Sequence, residues 1–105
     1  MRRGEVFAYT PSSARGREQS GSRYAVVVQS DAFLPRSVVI IAPTSTSAPV
    51  ASFRPEIIVR KVTTRVMVEQ MRAVDVGRLG RRVGQVTVEE QWGIDDALAA
   101  VLGLR

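Results

Sequence analysis

Histidine and cysteine are both absent from this chain, so any catalysis it performs must run on Arg, Asp or Glu, Ser or Thr, Tyr, or Lys. Their absence excludes a two-histidine ribonuclease mechanism, a Ser-His-Asp triad and the usual zinc sites, because each of these needs an imidazole or a thiolate. Arginine dominates what remains: fourteen of the fifteen basic residues are arginine, and Lys61 is the only lysine. A GC-rich coding sequence produces the same bias, but the planar guanidinium is also the side chain that forks onto oxyanions. The distribution is more telling than the total. Residues 1–65 carry ten basic and four acidic residues, a net of +6, whereas residues 66–105 carry five and six, a net of −1. With a formal charge of +5 and a pI near 11.0, the chain favours a polyanionic partner such as nucleic acid, through its first two thirds.

Position singles out a few of these groups. Arg23 stands where a long polar stretch meets an apolar run, so a rigid element anchors it while its guanidinium faces solvent. Thr44 holds the mirror position just past Pro43, at the end of the run Val38–Ala42, where its hydroxyl is expected to emerge. Glu69-Gln70-Met71-Arg72 sets three polar groups at the end of an alternating strand, the pattern of a solvated rim with a weak ion pair. Phe7, Tyr9, Phe33, Phe53 and Trp92 read as core residues; Phe53, beside Arg54 in a basic loop, is the best candidate for a base-stacking platform. There is no glycine-rich phosphate loop of the usual spacing and no carboxylate cluster suited to a metal.

The elements that must position these groups are short β-type runs: Val6–Tyr9, Tyr24–Gln29, Val38–Ala42, Glu56–Arg60 and Val62–Glu69, separated by Gly, Pro and Ser clusters. Such spacing suggests a small barrel or curled sheet. Residues 24–28 and 38–42 are continuously apolar, as expected of strands covered on both faces; residues 62–69 alternate, which predicts one wet face. The stretch from Thr10 to Arg23 is too long for a tight hairpin turn. Near the C-terminus Thr87-Val-Glu-Glu90 reads as a capping box, followed by Ile94, Ala97, Leu98, Val101 and Leu102 at helical spacing; Gly93 is expected to bend that helix or delay its start until after Trp92. A helical turn is expected over Asp75–Leu79. At 105 residues, 45 % of them apolar, the chain reads as one domain over 1–105; with no signal peptide or membrane-length apolar run it is expected in the cytoplasm.

In order along the chain, Met1-Arg-Arg-Gly-Glu-Val-Phe, Ala14-Arg-Gly-Arg-Glu-Gln-Ser-Gly-Ser-Arg23 running into Tyr24-Ala-Val-Val-Val, Ile41-Ala-Pro-Thr-Ser45 and Glu69-Gln-Met-Arg-Ala-Val-Asp75 resemble the MazF/PemK (Kid) family of toxin endoribonucleases. The likeness spans nearly the whole chain. It implies an SH3-like curled antiparallel barrel, mainly β with α, closed by a C-terminal helix and working as a homodimer. It also implies sequence-specific cutting of single-stranded mRNA without metal or other cofactor, which stops translation and growth, and inhibition by a cognate MazE-like antitoxin. By the same resemblance Arg23 and Thr44 match the catalytic arginine and threonine, and Glu18 and Gln19 match a loop Glu-Gln pair beside the active site. Glu18 is the first candidate for the proton acceptor, since arginine stays charged at any working pH, and Glu69 is the second. Arg15, Arg17, Arg54 and Arg72 are expected phosphate contacts, with Gln19, Ser45, Glu69 and Gln70 completing the RNA-binding set.

Two features depart from the family pattern. Tyr24 follows Arg23 where proline is usual, and Met67 and Glu69 stand where some relatives carry an Arg-x-Asp pair. The competing readings are a same-fold, non-catalytic toxin that binds a protein target such as gyrase, and a basic RNA-binding barrel without cleavage.

Overall fold

A computed structural model describes residues 1–10 and 23–104. Seven strands, β1 (Glu5–Tyr9), β2 (Tyr24–Val27), β3 (Val38–Ser45), β4 (Glu56–Val59), β5 (Val62–Val66), β6 (Arg72–Asp75) and β7 (Leu79–Gln85), precede a single α-helix, α1 (Val88–Val101). The sheet is antiparallel at every pairing and runs β4-β5-β3-β2-β1-β7, with β6 added along the first half of β3. Strand β3 is the organiser: its residues 38–41 pair with β6, its Thr44 and Ser45 pair with β5, and β2 lies on its other edge. One strand that turns from one partner to another in this way curls the sheet toward a barrel.

The continuous apolar run of β2 is covered on both faces, as expected. Val26 packs with Val6, Ile57, Val66 and Ile94 beneath α1, while Ala25 and Val27 pack on the other side with Tyr9, Val39, Ile41 and Val74. The β3 run differs. Val39 and Ile41 are buried, but Val38 and Ile40 are 49 % and 39 % exposed, so one face of this strand is open and the reading of a doubly covered strand is corrected there. Phe33 and Trp92 are likewise on the surface rather than in the core, at 58 % and 62 % exposure, while Tyr9 is buried and Phe7 and Phe53 are partly so.

The capping box forms as read. The Thr87 hydroxyl accepts from the Glu90 N–H at 3.0 Å and the Glu90 carboxylate accepts from the Thr87 N–H at 2.9 Å. The second Glu90 oxygen accepts from the Ile58 N–H at 2.9 Å, so one carboxylate starts the helix and ties it to β4. The helix therefore runs from Val88 without waiting for Trp92, and Gly93 lies within it. Burial of Ile94 beneath the sheet contributes about 2 kcal/mol and sets which face turns inward.

Three local irregularities shape the functional end of the sheet. Strands β4 and β5 are joined by Arg60 and Lys61 alone, both at positive φ (51° and 69°), in the two-residue hairpin geometry that Asn-Gly normally fills. Holding two long side chains there costs on the order of 1 kcal/mol each. In β7 the register against β1 slips: Phe7 faces Arg82 and Tyr9 faces Leu79, leaving Gly80 and Arg81 to share the place opposite Ala8. A Cβ on Gly80 would sit 3.2 Å from the Ala8 Cβ, so any side chain there presses on Ala8, which must give by a few tenths of an ångström. Finally, β5 stops at Val66 and gives way to a 3₁₀ turn at Val68–Gln70, which buries Met67 where the sequence pattern put a wet face.

Candidate active site

Arg23 is held at the mouth of β2 from two sides. Its carbonyl accepts from the Tyr9 N–H at 3.0 Å, and the carbonyl of Tyr24, the next residue, accepts from the Thr44 hydroxyl at 3.2 Å. Pro43 brings no N–H to this part of the ladder, and the hydroxyl beside it supplies a donor instead. Thr44 is consequently not the emerging strand-end hydroxyl that the sequence suggested. Strand β3 continues through it to Ser45, and Thr44 is 3 % exposed.

The Arg23 side chain lines a cleft of about 340 Å³ together with Tyr9, Thr10, Tyr24, Arg60 and Arg81, floored by Ala8 and Val83. Among the described residues that line it, three are arginines and none is acidic. Neither Arg60 nor Arg81 forms an ion pair with a described carboxylate. Thr10 and Arg23, the described residues that bracket segment 11–22, both stand on the cleft wall. A neighbouring concavity of about 550 Å³ shares Thr10 but mixes charge, with Asp75 and Arg78 in its lining and the Asp75 carboxylate accepting from the Gly77 N–H at 2.9 Å.

Other expected site residues fall at varying distance from this centre. Arg72 joins it indirectly, donating from Nη1 to the Tyr9 hydroxyl at 3.2 Å. Arg54 and Glu69, expected as separate groove residues, are bound to each other: Nε and Nη2 reach one Glu69 oxygen at 3.0 and 2.9 Å, and Nη1 donates to the Pro49 carbonyl at 3.1 Å. The Arg54 guanidinium also stacks 4.9 Å over the Phe53 ring, which packs against the core as read and is not an open stacking platform. The remaining Glu69 oxygen, Oε1, is buried without a hydrogen-bond partner. Ser45 is bonded to Ser47, and Gln70 is exposed. Arg15, Arg17, Glu18 and Gln19 lie outside the described residues.

Sequence reasoning missed Arg60 and Arg81. The first was legible as one of two residues between alternating strands; the second lies in residues 79–85, whose two glycines hide a strand. Among the described residues no three His, Cys, Asp or Glu side chains are grouped to hold a metal, and no helix is long and apolar enough to cross a membrane.

A small curled antiparallel sheet, one C-terminal helix and a cleft lined by arginines at the strand mouths define the class: a curled half-barrel closed by a C-terminal helix. Residues 2–102 match the model of the PemK-like, MazF-like toxins of type II toxin–antitoxin systems, and the chain belongs to that family. It is 41 % identical over 104 residues to the toxin candidate Rv3098A of Mycobacterium tuberculosis, covering 97 % of both chains. It is 35 % identical over 117 residues to endoribonuclease MazF9 of the same organism, covering 99 % of this chain and 98 % of the relative. Among solved structures, an endoribonuclease in complex with its cognate antitoxin from a mycobacterial species superposes with a TM-score of 0.82 at 20 % identity, over 100 % of this chain and 97 % of that one. The SH3-like curled fold expected from the sequence is thereby shown.

Proposed function

We propose that this toxin is a metal-independent endoribonuclease that cuts single-stranded mRNA at the Arg23 cleft and so stops translation. The observation that carries the reading is the cleft itself: Arg23, clamped at the start of β2, stands with two further arginines around a concavity that has no acidic lining residue among the described ones. In the reaction the ribose 2′-oxygen attacks the adjacent phosphorus as its proton leaves to an acceptor. The P–O5′ bond breaks and O5′ takes a proton, giving a 2′,3′-cyclic phosphate and a 5′-hydroxyl. Arg23 stabilises the charge that accumulates on the phosphorane oxygens. Thr44, buried and bonded to the Tyr24 carbonyl, acts as a positioning residue by fixing the backbone that carries Arg23. Glu18 takes the proton, with Glu69 as second candidate because one of its oxygens has no partner. Arg15, Arg17 and Arg72 steer the RNA backbone, and Gln19, Ser45 and Gln70 meet its bases; Arg54 serves the site by holding Glu69.

The protein works in the cytoplasm as a homodimer, for which the open Val38 and Ile40 on β3 provide an apolar face. A cognate antitoxin silences it by laying an acidic segment over the basic groove; the similar mycobacterial fold was itself solved as an endoribonuclease in complex with its cognate antitoxin. Incubating the purified protein with a long mixed-sequence RNA and its DNA copy in EDTA tests the reading. Discrete cuts with 5′-hydroxyl ends in RNA alone are expected; an uncut RNA sinks the enzyme reading in favour of a binding-only toxin.

A further inference from the structure

We propose that Arg60 and Arg81 hold an RNA phosphate next to the one that Arg23 serves, an inference that rests on the ribonuclease reading and assigns that site its backbone grip. The two residues come from opposite ends of the sheet order, on the β4–β5 turn and on β7, and meet at the Arg23 cleft because the sheet curls. Their electrostatic state sets them apart. Arg3, Arg54, Arg65 and Arg82 each lie within 2.9 Å of a carboxylate oxygen, whereas Arg60 and Arg81 face no described carboxylate and share their cleft with a third arginine. Two guanidiniums on one small concavity, neither with a described carboxylate, repel unless an anion enters, and a phosphodiester backbone brings one charge per nucleotide.

The backbone supplies a second, independent observation. Arg60 is delivered by a turn with φ of 51°, followed by Lys61 at 69°, conformations that long side chains rarely adopt. Arg81 is delivered by the register slip in β7, an irregularity of the kind that re-aims a side chain. Both departures from regular structure set an arginine on the wall of the same cleft. Tyr24, only partly buried, stands in the same cleft wall beside them. Because the held phosphate does not react, its contacts bind substrate and transition state alike, so they act on KM and leave kcat alone.

Binding of a labelled 2′-O-methyl oligoribonucleotide, which cannot be cut through its 2′ oxygen, is measured against salt alongside cleavage kinetics on unmodified RNA. The variants are Arg60→Ala, Arg81→Ala and their double, with Arg2→Ala as a charge control at the far end of β1. The double variant is expected to raise Kd and KM about tenfold, hold kcat within about twofold and flatten the log–log salt slope by about 1.4, or 0.7 per lost contact. Arg60→Asn with Lys61→Gly relaxes the turn, so its thermal midpoint should rise while RNA affinity falls. Unchanged KM and slope in the double variant of an active enzyme overturn the assignment alone, as does an equal slope change in Arg2→Ala. Binding that weakens as described in a wild-type protein that never cuts upholds the grip and removes the ribonuclease reading. A wild type that neither binds nor cuts removes both.

Discussion

Arg54 and Arg81 are both arginines at the edge of one curled sheet, yet they do opposite work. Arg54 is spent internally: a carboxylate, a carbonyl and an aromatic face occupy its guanidinium, and its side chain is only 19 % exposed. Arg81 faces a cleft with two other guanidiniums and no described counter-charge. The Arg54 region couples the loop after β3 to the 3₁₀ turn after β5, and the Arg81 region leaves its charge for a ligand. A net charge of +5 therefore says less about RNA binding than the location of the carboxylates does.

The sharpest way to break this contrast is Arg23→Ala, which under the proposed mechanism removes phosphorane stabilisation. Single-turnover cleavage should fall about 10³-fold while the thermal midpoint moves by less than about 2 °C. Arg54→Met should do the reverse. Leaving the half-buried Glu69 without its cation costs about 2 kcal/mol, a fall of about 10 °C in the midpoint by calorimetry, with RNA affinity changed less than about threefold. Thr44→Val, which deletes the hydroxyl on the Tyr24 carbonyl at nearly constant volume, should lower kcat about tenfold at unchanged KM, and Thr44→Ser should restore it.

The smallest effect sits on the structural side, at Glu5. Burial pushes its carboxyl up, but the Arg2 N–H and the Arg82 guanidinium outweigh burial and hold it below its ordinary value of 4.5. A carboxyl depressed in the folded state stabilises above its unfolded pKa, and that contribution is lost as pH falls through the folded value. Denaturant titrations of Glu5→Gln should accordingly show a loss of about 1 kcal/mol at pH 7 that shrinks toward zero as pH drops below 4.5.

Local rules made part of this legible in the sequence. The Thr87–Glu90 box started the helix where the spacing placed it, because both of its hydrogen bonds lie within one turn. Gly93 did not delay that helix, since tertiary packing through Ile94 and Ala97 outweighs a propensity cost of about 1 kcal/mol. The boundary at Thr44 was misplaced because β3 exchanges β2 and β6 for β5 along its length, a long-range pairing that no window of residues reveals. The same holds for the site. Arg23 was readable from its place between loop and strand, whereas Arg60 and Arg81 reach it only through the curl of the sheet, and the Arg54–Glu69 pair joins residues fifteen apart through a turn that interrupts the expected strand.

The claim that the Arg23 cleft works by ribose chemistry is tested most directly on a substrate with one atom removed. Once a cut has been mapped, the same RNA is made with a single 2′-deoxynucleotide on the 5′ side of that bond and incubated with the protein in EDTA. Unchanged binding with no cut at the modified bond is the predicted result. Cutting at that bond would contradict the account, because it would show that the 2′-hydroxyl is not the nucleophile.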